Sequence, residues 1–71
     1  MKFQHFTQVA LTEDIPQYQL KKGDIGTIVE YYPMPQSEED GYSLEGLLPQ
    51  DTLEVSESQI ELVTLSALTH A

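Results

Sequence analysis

The stretch Leu20-Lys21-Lys22-Gly23-Asp24-Ile25-Gly26-Thr27-Ile28-Val29-Glu30 restricts the fold of this chain more than any other. A turn bearing two glycines runs directly into a series of β-branched residues. Glycine releases the backbone for a sharp reversal, and Ile, Val and Thr then suit a pleated, half-buried surface. The pattern predicts a strand over residues 25–32, with Ile25, Thr27, Val29 and Tyr31 on one face and Gly26, Ile28, Glu30 and Tyr32 on the other. Ile25, Ile28 and Val29 are its expected core residues. Gly26 inside the strand predicts a bulge, a bend or the close approach of another backbone.

The remaining apolar residues are also spaced for short strands. Val9 and Leu11 mark a strand within 7–12, and Pro16 makes 14–19 an ordered loop whose Ile15 and Leu20 plug the edge of the core. Pro33-Met34-Pro35-Gln36-Ser37-Glu38-Glu39-Asp40-Gly41 reads as an exposed tip loop, because two prolines and three successive acids pair poorly in a sheet. Strands resume at 42–48, with Tyr42, Leu44 and Leu48 on one face, and at 52–55, with Leu53 and Val55 inward. Ser56-Glu57-Ser58-Gln59 has the form of a capping box for one 3₁₀ turn before a last strand at Ile60–Val63. Thr64 to Ala71 could extend that strand, turn helical or leave 65–71 as a frayed tail. The sum is one all-β domain over 1–71, with its core within 7–64: a small SH3-like barrel of about five strands with a short 3₁₀ turn before the last one. Curling a sheet in this way shelters the edges of a chain too short to cover them with helices.

Composition fits a small core and narrows the partners. Nineteen of 71 residues are Leu, Ile, Val or Phe, above the roughly 20% below which disorder is expected. Without cysteine there is neither a disulfide framework nor a thiolate metal site. The start of the chain lacks an apolar signal segment, and no run reaches the roughly 18–20 residues of a membrane span. A soluble cytoplasmic protein is the expectation. Twelve acids against three lysines, with no arginine, give a formal net charge of −9. A phosphate backbone or an anionic membrane must be neutralised by Lys or Arg, so direct binding to nucleic acid or membrane is disfavoured. A basic protein partner suits this charge.

Val9-Ala10-Leu11 through Asp14-Ile15-Pro16, followed by Leu20 to Tyr31, resembles an uncharacterised bacterial family, domain of unknown function number 4926. Its members carry V-A-L-x-x-D-x-P and then L-x-x-G-D-x-G-T-V-V-E. Ser58-Gln59-Ile60 resembles the family's S-x-Q-L, which extends the likeness over roughly residues 8–63. Gly46 stands where the family often has a bulky residue. The resemblance implies an SH3-like fold and brings no catalytic residues with it.

The candidate sites carry little chemistry. Glu38, Glu39 and Asp40 could offer oxygens to a divalent cation or a small ligand through the acidic loop 36–45, but the D-x-[DN]-x-[DN]-G spacing of a calcium loop is absent. His5 and His70 stand near opposite ends of the chain with no third ligand or nucleophile in register. Ser56 and Ser58 are economically explained as turn-capping residues. Gly23-Asp24-Ile25-Gly26 precedes a strand instead of a helix and lacks a P-loop lysine, so it is a structural turn. No catalytic residue, cofactor or metal site is expected, and the chain reads as a non-enzyme. Tyr18, Tyr31, Tyr32 and Met34, with Glu38, Glu39 and Asp40, form the expected partner surface, since Tyr and Met are favoured at interfaces. The functional expectation is a small acidic interaction module, monomeric or weakly dimeric, that accompanies or neutralises another bacterial protein. Its rival is a domain that binds a cation or small ligand.

Overall fold

The computed structural model of the chain describes residues 2–63. Five strands, β1 (Gln8–Leu11), β2 (Ile25–Tyr32), β3 (Gly41–Leu48), β4 (Asp51–Ser56) and β5 (Ile60–Leu62), form one sheet in the order β4-β3-β2-β1-β5. Every neighbouring pair is antiparallel. One 3₁₀ turn, Pro16–Tyr18, lies between β1 and β2, and a second, Glu57–Gln59, precedes β5. The all-β architecture, the five strands and the late 3₁₀ turn agree with the sequence. The tail Thr64–Ala71, with His70, lies outside the described residues.

By hydrogen bonding the sheet is open, with β4 and β5 as its edges. By packing it curls. Leu53 and Val55 of β4 and Ile60 of β5 belong to the same buried cluster as Val9, Leu11, Ile28, Tyr42 and Leu44. Ile15 and Leu20 pack against that cluster, as the loop pattern predicts, and are joined to each other by an isolated β-bridge. Phe3 also enters the core, its ring edge-on to Tyr42 at 5.5 Å. The core therefore begins before residue 7.

Strand β2 does not alternate as a regular strand would. Its register on β3 passes from Ile28↔Leu44 to Glu30↔Ser43, so Val29 is an inserted residue. A bulge of this kind switches the faces on either side of it. Ile28 is consequently fully buried, and Tyr31, three residues later, also packs against the core. Ile25 is 41% exposed. This corrects three expectations: Ile25 is not a core residue, the bulged Val29 is only partly buried and lies outside the core cluster, and Ile25 does not share a face with Tyr31.

The strand's Gly26 lies opposite Val9, and a Cβ there would come within 3.0 Å of the Leu47 side chain and 3.2 Å of the Glu45 carbonyl. The close approach expected from its position is real. Gly46 lies in a second register shift, between Leu44 and Leu48, at φ +96°. Glycine adopts that backbone at little cost, which explains the absence of a bulky residue there.

Candidate functional site

The tip loop expected to be solvated is bound back onto the domain. The carboxylate of Asp40 accepts the Tyr31 hydroxyl at 2.5 Å and the Met34 backbone N–H at 3.0 Å. Its backbone carbonyl accepts the N–H of Glu57 at 2.9 Å. Glu39 reaches further, accepting from Ser58 through both its backbone N–H (2.7 Å) and its hydroxyl (3.0 Å). Two of the three loop acids thus fasten β2 and the loop to the second 3₁₀ turn. Glu38 alone among them leaves its side chain outside these bonds, and its backbone N–H closes a turn on Pro35.

Charge follows from this geometry. The hydrogen bond to Asp40, reinforced by partial burial and by the Asp40 charge, pushes the Tyr31 hydroxyl up to about 12. The same bond, aided by the Met34 N–H, holds the Asp40 carboxyl below its ordinary value. Burial, then the hydrogen bond to Glu57, raises the Tyr42 hydroxyl. That hydroxyl donates to Glu57 at 2.8 Å and accepts the Phe3 N–H at 3.3 Å. None of these arrangements presents a free nucleophile or an unpaired base. Among the described residues no three His, Cys, Asp or Glu side chains converge as metal ligands.

The expected partner residues divide into groups. Tyr31 and Asp40 form an internal tie. Tyr32, whose hydroxyl pairs with Ser43 Oγ at 2.8 Å, joins Met34 and Glu39 along a hollow of about 390 Å³. Tyr18, on the first 3₁₀ turn, lines a separate hollow of about 500 Å³ with Ile15, Gln17 and the first residues of β4. The two hollows adjoin, because Glu54 and Gln59 line both. Together they run beside β4, with Tyr18 at one end and Tyr32 and Met34 at the other. Tyr18 is 45% exposed and Met34 47% exposed, and no lysine lines either hollow.

Sequence reasoning overlooked Glu54 and the second role of Gln59. Gln59 was legible as the end of a capping box, and its Oε1 does accept the Ser56 N–H at 2.8 Å. Its place between two hollows depends on how the first 3₁₀ turn folds toward β4, which no local pattern encodes. His5 is exposed in a turn. Lys21 and Lys22 are engaged through their backbones, their N–H groups donating to Asp24 and Asp14 at 2.9 and 2.8 Å. The turn of the opening motif is therefore held by its own Asp24 and by Asp14 of the preceding loop.

No helix among the described residues is long and apolar enough to cross a membrane. No curated protein and no solved structure matches the chain. A family does, over residues 6–46, a span that takes in β1, β2, the tip loop and β3 up to Gly46; it includes Tyr18, Tyr32 and Met34 and leaves out β4, which forms the other wall of both hollows. On that match the chain belongs to the family described as Domain of unknown function (DUF4926).

Proposed function

We propose that this chain is a small non-catalytic protein-interaction module, and that its acidic, tyrosine-bearing surface receives a basic partner protein. The observation that carries this reading is the pair of adjoining hollows beside β4, which bring Tyr18, Tyr32 and Met34 to one continuous surface. Aromatic and Met side chains supply contact area at interfaces. Asp51 and Glu54 add negative charge along the same surface, in a chain of net charge −9. Complementary charge speeds encounter and selects against acidic competitors. The cation-binding alternative receives no comparable support, since the Glu39 and Asp40 carboxylates already accept protein hydrogen bonds.

The test is capture from a native lysate of the source organism by the immobilised chain. The expected result is a stoichiometric protein retained at low salt, released as salt rises, and lost from the Tyr32→Ala/Met34→Ala variant. Absence of such a protein at both low and moderate salt overturns the reading, as does retention indifferent to the double substitution.

A further inference from the structure

The outer edge of β4 is unevenly satisfied. Successive residues of a strand direct their backbone N–H and C=O groups to alternate sides. Just beyond β4, the Glu57 N–H reaches the Asp40 carbonyl, on the β3 side. The Ser56 N–H points the other way and is met by Gln59 Oε1 at 2.8 Å. Thr52, in step with Ser56, has its N–H met by Asp51 Oδ1, also at 2.8 Å. Glu54 lies between them on the same open side, where no group among the described residues bonds to its backbone. The edge is thus capped by side chains near both ends and open in the middle. Glu54 is also where the two hollows meet.

We infer that an extended, Lys- or Arg-bearing segment of a partner protein adds to the sheet along β4, exchanging backbone hydrogen bonds with Glu54; this rests on the interaction reading above. In strand addition, main-chain bonds hold the segment and hollows beside the edge receive its alternate side chains. Here the Tyr18 and Tyr32 hollows flank Glu54 and would take the side chains on either side of it. Charge selects the occupant. Antiparallel pairing of two copies about Glu54 would set Glu54 against Glu54, and like charges directly opposite are destabilising. A basic side chain in that position is favoured instead. Edge strands commonly discourage self-association with charge, and at β4 that charge is acidic, which excludes a second copy while admitting a cationic strand.

The experiment pans a display library of short random peptides against the full chain and follows the backbone amides by NMR exchange with the best selected peptide. The expected peptides carry Lys or Arg at alternating positions and protect the Glu54 amide from exchange. Their affinity should fall about tenfold or more in Glu54→Lys, as loss of a close charge pair allows. Glu54→Pro, which removes only an outward N–H and is therefore compatible with an edge strand, should abolish binding, and Glu54→Ala should weaken it less. Should Glu54→Pro fail to fold, amide protection in the unsubstituted chain decides alone. Peptides that bind without protecting Glu54, or that are acidic or neutral, overturn edge addition and leave the interaction module standing. The same holds if the lysate yields a partner and the library yields no binder. Failure of both captures removes both readings. Glu54 protection that grows with protein concentration in the absence of peptide overturns the inference in favour of self-pairing.

Discussion

Tyr31 donates its hydroxyl hydrogen to Asp40 across 2.5 Å and so ties the end of the tip loop to the strand that enters it. The bond has a pH signature on each side. The folded Tyr31 hydroxyl titrates at about 12, above the roughly 10 of an unfolded tyrosine. A raised pKa means that the tie stabilises the fold fully below about pH 10 and is lost as pH rises from there through about 12. Asp40 has a lowered pKa, so its contribution is present above the ordinary carboxyl value and disappears as pH falls through the lowered one. Ultraviolet titration should therefore show late-titrating tyrosine absorbance, to which Tyr42 also contributes, and Tyr31→Phe should remove one tyrosine's share of it near pH 12. The same variant should speed amide exchange at Met34, whose N–H shares the Asp40 carboxylate. A late-titrating absorbance undiminished in Tyr31→Phe would refute the assignment.

The two faces of β2 predict unequal costs for two similar substitutions. Ile28→Ala empties a fully buried site and should cost about 2–5 kcal/mol, the usual range for such truncations in a core. Ile25→Ala alters a side chain 41% exposed and should cost well under half as much. Chemical denaturation of the two variants measures both. Equal losses would mean that Ile25 is packed as deeply as Ile28, against the exposure of its face.

Most of the strands were legible because each carries its own apolar alternation. Leu53 and Val55 point inward, and Ser56–Gln59 caps a 3₁₀ turn, as local pattern alone requires. Gly26 signalled the close approach of the Glu45 carbonyl, whereas the bulge at Val29 depends on β3 pairing and is not written in β2. The acidic loop misled for a related reason. Glu39 and Asp40 look solvated in sequence because their partners, Ser58 and Tyr31, lie 19 and 9 residues away. Tyr42, a simple strand residue by pattern, proves to be a buried junction joining Phe3 to Glu57 for the same reason. Glu54 has no local signal at all, since an open hydrogen-bonding site is defined by what fails to pair with it.

Gly46 is a position where adding one methyl group should destabilise without any collision. Nothing lies within 4 Å of where its Cβ would be, yet φ is +96°. The cost of Gly46→Ala is then conformational alone, about 1–2 kcal/mol for an L-residue held in left-handed backbone. Gly26→Ala differs in kind, because there the methyl meets Leu47 and a carbonyl at 3.0–3.2 Å. Replacing Leu47 by Ala in the Gly26→Ala background should recover stability, whereas in the Gly46→Ala background it should not. Thermal melting of the four variants distinguishes strain from overlap; rescue in both backgrounds would contradict the division.

Net charge makes a last prediction, and the size of the molecule sets the salt range in which it is seen. The chain has a formal charge of −9 and a radius of gyration of 11.9 Å. At about 10 mM salt the screening length is roughly 30 Å, so carboxylates across the whole domain repel one another; at about 150 mM it is roughly 8 Å, shorter than that radius. Self-repulsion of this kind destabilises the compact state, and screening should relieve it. Melting temperature should therefore rise between these two salt concentrations, with most of the gain complete by the upper one. Binding of a basic segment at β4 should change in the opposite sense, weakening over the same range because its steering charges are screened. A fold that loses stability as salt is added would mean that carboxylate repulsion does not govern it, and a captured partner that grips more tightly would mean that charge attraction does not hold it.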